Sequence, residues 1–162
     1  MGVVAPYEGV PSLMVRVASR RLHAISEVTG RINYLRTYHL PDGGTFRRFF
    51  ELKLVRQDNP VLTLTWTLIH QIDRKSPLYG LTPERLKEEA PRLLVTITGF
   101  DEAISSPIND RRSYSPSEIR YGETFVHILT DLPDGAVAVD LTRIHETEPV
   151  DEMDYEASLT DS

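Results

Sequence analysis

The 162-residue sequence predicts an all-β fold, a β-sandwich with one short helix, on three observations. Apolar residues alternate with polar ones in several short runs, the pattern of strands with one buried face. Turn residues separate those runs at short intervals. A single segment carries helix-start chemistry. Many short strands and one helix are best buried as two packed sheets.

Taken in chain order, SLMVRVA places Leu13, Val15 and Val17 on one face. Pro41-Asp42-Gly43-Gly44 and Asp58-Asn59-Pro60 read as turns, because Pro presets φ and Asp, Asn and Gly tolerate tight backbone. LTLTWTL is the clearest alternation, with Leu62, Leu64, Trp66 and Leu68 set against Thr63, Thr65 and Thr67. In LTPERLKEEA, Thr82 is an N-cap, Pro83 takes the first helical position, and Glu84 lies at the positive end of the dipole. LLVTITGF (93–100) and AVAVDL (136–141) read as strands, the second preceded by the turn Pro133-Asp134-Gly135. One domain over 1–150 is expected, followed by a disordered acidic tail, DEMDYEASLTDS, over 151–162.

Composition excludes several functions. A net charge of −6 and a pI near 5.4 disfavour a nucleic-acid partner, which would need a basic face. The absence of cysteine removes disulfide, thiolate and Cys-metal chemistry. No apolar run reaches the roughly 18–20 residues that span a bilayer, and no signal-peptide pattern opens the chain, so a soluble polypeptide is expected.

No catalytic residue is assigned. Asp101 and Glu102 are adjacent, so on a strand they point to opposite faces, a poor start for two carboxylates sharing one substrate. His23, His39, His70, His127 and His145 are scattered without HExxH spacing, so no metal site is assigned. Gly43-Gly44 lacks the context of a phosphate-binding loop, and Ser105, Ser106 and Ser113 lack nucleophile-elbow glycines. Arg20-Arg21 is a small basic cluster whose forks match phosphate oxygens.

Five segments, in order, resemble the cytoplasmic domain of inward-rectifier potassium channels, prokaryotic branch. PSLMVRVASRR (11–21) is similar to the family's P-x-L-M-x-R-x-x-N-x-R strand. LTWTLIHQIDRKSPLYGLTPERL carries an H-x-I-D and S-P-L signature in His70, Ile72, Asp73, Ser76, Pro77 and Leu78. VTITGFDEAISSPINDRRSY resembles the G-x-x-E-A strand and loop. EIRYGETF matches E-I-x-W-G-x-x-F with Tyr121 for Trp, and VDLTRIHETEPV matches the closing D-x-x-x-F/I-H-x-T pattern. The resemblance implies an immunoglobulin-like sandwich. Transmembrane helices and the Thr-Val-Gly-Tyr-Gly filter are absent from the sequence, so this module is not expected to conduct potassium alone.

The resemblance also implies roles. Four domains would form a homotetramer around an ion pathway, under the transmembrane pore domain, on the cytoplasmic side of the plasma membrane. Glu27 falls at a pore-facing acid, Asp58 replaces another vestibule acid, and Thr98 stands where strong rectifiers carry a second one. Pore lining by Glu27, Asp58 and Thr98 implies weak magnesium or polyamine binding and no cofactor. Ile104, Ser105, Ser106, Pro107, Ile108 and Asn109 correspond to a gating loop, with Pro107 stiffening it. Glu102 and Arg111 correspond to a pair at the subunit interface. Arg20 and Arg21 correspond to a phosphoinositide-lipid site, weakened by Leu22 in place of a lysine. From a different class, a free-standing immunoglobulin-like protein-binding module stays open, and a hydrolase ranks third.

Overall fold

The computed structural model describes residues 1–151, and the rest of the acidic tail lies outside them. Strands β1 (Gly2–Tyr7) and β2 (Val10–Ala18) form a hairpin whose turn residues, Glu8 and Gly9, both have positive φ. That geometry matches the right-handed twist of the strands it joins. β3 (Ile25–His39) and β4 (Thr45–Leu52) form a long hairpin, followed by β5 (Asp58–Leu62) and β6 (Thr65–Gln71). Helix α1 (Pro83–Glu89) leads to the hairpin of β7 (Arg92–Asp101) and β8 (Ser106–Tyr114). Five short strands complete the chain: β9 (Ile119–Tyr121), β10 (Glu123–Phe125), β11 (Leu129–Asp131), β12 (Val137–Val139) and β13 (Thr147–Pro149).

One sheet has the order β6-β2-β1-β9 and the other β4-β3-β7-β8, with β5 also paired to β3. They pack face to face. Val4, Leu13, Val15 and Leu68 on one side meet Ile32, Tyr34, Leu93 and Val95 on the other. A Cβ on Gly30 would lie 2.5 Å from Leu68 Cδ2 and 3.2 Å from the Trp66 ring, so the sheets approach too closely there for any side chain. The first sheet is also covered on its outer face, where Val3, Ala5 and Met14 pack with Ile69, Phe125 and Val150. Two-sided burial makes Val3-Val4-Ala5 a continuous apolar run, which carries no period-two signal.

The helix forms as its sequence predicts. Thr82 accepts a hydrogen bond from Arg85 N–H at 3.3 Å, Pro83 opens the first turn, and Leu86 is buried. Glu89 ties the far end to β3, accepting from the Tyr34 hydroxyl at 3.2 Å and from Arg36 at 3.0 Å. Two expectations are corrected. Asp58-Asn59-Pro60 is strand, not turn: it starts β5, an edge position where a proline without N–H is tolerated. LTLTWTL is not one strand, because the chain bends at 63–64 and crosses from one sheet to the other.

Arg16 fastens the C-terminal segment to the sandwich. From β2 its guanidinium donates to the carbonyls of Val126 (2.6 Å), Ile144 (2.7 Å) and Arg143 (3.2 Å), and it lies 4.6 Å from the Phe125 ring centre. His70 is structural too. Its Nδ1–H donates to Lys53 O at 2.7 Å, which leaves Nε2 to accept from the Ser76 hydroxyl at 2.7 Å. Ser76 Oγ in turn accepts from Leu78 N–H. Burial holds the His70 pKa below its ordinary value and keeps the ring neutral.

Candidate functional site: the outer face of the β5-β3-β7-β8 sheet

Residues paired directly across neighbouring strands share one face of a sheet. Asp58 pairs with Thr29, Thr29 with Thr98, and Thr98 with Asn109, so these four form one polar row across β5, β3, β7 and β8. Thr29 Oγ1 donates to Asp58 Oδ1 at 2.9 Å, which confirms the shared face. The next row on that face is Arg31, Thr96 and Arg111. This face looks away from the core, whose β3 contributions are Ile25, Val28, Ile32 and Tyr34.

Glu27 reaches the same side through a bulge. Ser26 pairs with Phe100 and Thr29 with Thr98, so Glu27 and Val28 together oppose Gly99. Glu27 has φ +51, a left-handed conformation that costs a non-glycine residue energy. The inward positions step from Ile25 to Val28, leaving Ser26 and Glu27 both directed outward and Glu27 exposed. A Cβ on Gly99 would meet Ile25 Cγ2 at 2.8 Å, so glycine is what admits the bulge. The three residues expected to line a pore therefore lie on one face.

The hairpin beyond them is shorter than expected. Only Ile104 and Ser105 of the 104–109 segment lie in the turn, with Ser105 at φ +49; Ser106, Pro107, Ile108 and Asn109 are the first residues of β8. Pro107 fits because β8 is an edge strand. Glu102 is exposed at the tip, and Arg111 lies opposite Thr96. From Ser106 to Arg111 the strand rises about 17 Å, so the two side chains cannot pair within one copy.

At the base of this hairpin, Asp101 is fully buried. Its Oδ2 accepts from Arg21 Nη1 at 2.6 Å and its Oδ1 from His23 Nε2 at 2.7 Å. Oδ1 also accepts from the backbone N–H of Ala103 (3.1 Å) and Ile104 (3.4 Å), shaping the turn. The His23 hydrogen bond, with those backbone donors, holds the Asp101 carboxyl below its ordinary pKa. Arg21 is thus engaged at the hairpin while staying partly exposed, and Arg20 and Leu22 beside it are exposed.

The pairing of Asp101 with Arg21 and His23 escaped the sequence reading, although one signal was present. Leu93, Val95, Ile97 and Gly99 set the inward phase of β7, and Asp101 continues it. A carboxylate in an inward phase requires buried donors. Which donors these were, some 80 residues away in the chain, was not readable. Among the described residues, no group of three or more His, Asp or Glu could hold a metal ion. The cleft under α1, lined by Leu13, Tyr34, Ile72, Leu78, Leu86 and Leu93, encloses about 10 Å³, room for a single water. No helix of the described residues is long and apolar enough to cross a membrane.

Comparison with known proteins agrees with the motifs. Residues 1–162 match the family described as the inward rectifier potassium channel C-terminal domain. The chain is 40% identical over 144 residues to the inward rectifier potassium channel Kirbac3.1 of Paramagnetospirillum magnetotacticum, covering 89% of this chain and 49% of that protein. It is 32% identical over 147 residues to the human ATP-sensitive inward rectifier potassium channel 10, covering 86% and 38% of the two chains. It is 27% identical over 158 residues to the bovine G protein-activated inward rectifier potassium channel 1, covering 94% and 31%. The chain therefore spans half or less of the length of these relatives. It belongs to the inward rectifier potassium channel C-terminal domain family.

Proposed function

We propose that this chain is the cytoplasmic vestibule of a potassium channel, in which four copies surround the ion path and turn the outer face of the β5-β3-β7-β8 sheet toward it. The observation that carries this reading is Glu27, exposed and held at φ +51 on the face that also bears Asp58 and Thr98. An exposed surface glutamate gains nothing from a strained backbone, and such strain concentrates where a side chain must be aimed. Fourfold repetition makes Glu27 and Asp58 rings of negative potential that concentrate cations. Thr98 adds no charge, so block by magnesium or polyamines is weak.

The β7-β8 hairpin is the gate in this reading. Ile104 and Ser105 form the tip that approaches the axis, and Ser106 to Asn109 form its paired arm. Glu102 of one copy reaches Arg111 of the next, since the two are too far apart in a single copy. Asp101, through Arg21 and His23, fixes the hairpin to the β2-β3 connection. An anionic lipid phosphate drawn to Arg20 and Arg21 would compete with Asp101 for Arg21.

The reading is tested by joining the chain to the membrane-spanning pore of a relative and recording from the cytoplasmic side. Glu27→Gln should lower outward single-channel current and relieve the weak magnesium block. Steep polyamine block that survives Glu27→Gln would overturn the assignment of Glu27.

A further inference from the structure

β4 is an incomplete edge. Among the described residues it pairs only with β3, over eight consecutive positions, so its other side offers a row of unpaired backbone donors and acceptors. Natural proteins blunt such edges with proline, a bulge or short length, and β4 has none of these. The register with β3 fixes its two faces. Arg47, Phe49 and Glu51 lie opposite Thr37, Leu35 and Asn33 on the outer face of the sheet. Phe46, Arg48, Phe50 and Leu52 lie on the other, where Phe46 stacks on Tyr38 and Phe50 meets Tyr34.

The outer-face residues of β4 are left without matching contacts. Phe49 is 58% exposed. Arg47 has no hydrogen bond or ion pair among the described residues, and Glu51 has no cation there, only Gln57 at 3.5 Å. Arg47 and Glu51 are four residues apart, about 13 Å along the strand, too far to pair with each other. We propose that the free edge of β4 joins the same edge of a second copy, antiparallel about a twofold axis at Phe49, so that the two sheets become one.

Charge complementarity selects both the occupant and the register. In a twofold antiparallel pair the backbone donors match only when the axis falls on a residue. Axes at 47, 48, 49 and 50 are those that pair five or more residues of β4. An axis at Arg47 or Arg48 sets two arginines face to face, which is destabilising. An axis at Phe50 sets Glu51 against Phe49 and Arg48 against Leu52, pairing no opposite charges. The axis at Phe49 sets Arg47 of each copy against Glu51 of the other, with the two Phe49 side chains between these pairs. On the opposite face it sets Phe46 against Leu52 and Arg48 against Phe50, the ring type Arg48 already covers within its own copy. Such a contact is isologous and closes at two copies, unlike the contacts between neighbours in a fourfold ring. It therefore stands independently of the vestibule reading.

The chain has no cysteine, so single cysteines read the register directly. Under mild oxidation of the full chain, Phe49→Cys should give a disulfide-linked dimer, because Cβ atoms facing each other across antiparallel strands lie about 4.5–5.5 Å apart. Arg47→Cys, Arg48→Cys and Phe50→Cys should each link at least about tenfold less. Sedimentation of unoxidised chains over a concentration series gives the second arm. Arg47→Glu alone and Glu51→Arg alone should each weaken dimerisation at least about tenfold, because each sets like charges opposite one another. An equimolar mixture of the two should restore it, since every facing pair then carries opposite charges. Linking at another position, or at none, would overturn the register. A chain that stays monomeric, or dimers indifferent to both charge reversals, would overturn the edge itself.

Discussion

Replacing Glu27 by glycine should stabilise the domain. A non-glycine residue in the left-handed region costs about 1–2 kcal/mol, and Glu27 sits there at φ +51. Glycine removes that cost but adds freedom to the unfolded chain, worth about 0.5–1 kcal/mol. The exposed carboxylate is in no ion pair among the described residues, so no packing or pairing is lost. The net gain is about 0.5–1 kcal/mol, or a rise in Tm of about 1–4 °C at this chain length. Glu27→Gln is the control: it keeps the strain while removing the charge, and should lie within about 0.5 kcal/mol of the native chain. Chemical denaturation of the three proteins side by side reads the difference. Glu27→Gly less stable than the native chain, or no more stable than Glu27→Gln, would refute the strain and with it the reason for treating this glutamate as aimed.

Further predictions follow from the same contacts. Arg16→Met should free residues 126–149 without unfolding the sandwich: hydrogen bonds from a charged donor to the carbonyls of Val126, Arg143 and Ile144 vanish together, at a combined local cost of about 3–5 kcal/mol. Amides of Val126, Asp140 and Glu146 should then exchange at least about a hundredfold faster while β2 and β7 hold; a uniform acceleration would contradict a clamp confined to that segment. Neutral His70 makes the domain acid-labile. Its folded pKa lies below the ordinary 6.5, so the unfolded chain binds the extra proton first, and stability present above about pH 6.5 is lost as pH falls below it. Urea midpoints should drop between pH 7 and pH 5, and the drop should shrink in His70→Gln. The depressed Asp101 carboxyl acts in a separate window, its contribution being present above pH 3.8 and lost below as it protonates. Gly30→Ala should destabilise by about 1–3 kcal/mol, because its Cβ would press on the fully buried Leu68 side chain and the Trp66 ring; denaturant unfolding no different from the native chain would contradict the sheet spacing.

Where a strand has one wet face, its sequence announced it. Leu93 and Val95 in β7 alternate because Leu94 and Thr96 on the other side are less buried. Leu13, Val15 and Val17 in β2 alternate although that strand is covered on both faces, because Ser12 and Arg16 on its other side are polar and hydrogen-bonded. Thr82-Pro83 marked the helix start for purely local reasons. β1 was silent because both of its faces are buried, which erases alternation. Pro60 misled in the other direction: a proline signals a turn locally, yet an edge strand accommodates one.

For the candidate site, the family motifs indicated Glu27, Asp58 and Thr98 without giving their arrangement. The bulge that turns Glu27 outward has no local sequence mark, since neither Gly nor Asn occupies the left-handed position; its enabling residue is Gly99 on the next strand. The hairpin length was misjudged for a related reason. Ser106 to Asn109 look like loop residues, and only pairing with β7 makes them strand. Arg21 shows the limit most plainly, because its ion pair with buried Asp101, 80 residues away, leaves no mark in the local sequence.

The central claim is that Glu27 faces an ion path, and the lack of cysteine in the chain makes it directly testable. With the chain joined to a relative's transmembrane pore and a cysteine-free background, Glu27→Cys would carry a single reactive thiol per subunit. A positively charged thiol reagent applied from the cytoplasmic side should reduce potassium current, and cadmium should block it reversibly. Complete modification, verified by mass, with unchanged current and no cadmium block would place Glu27 away from the path and contradict the account.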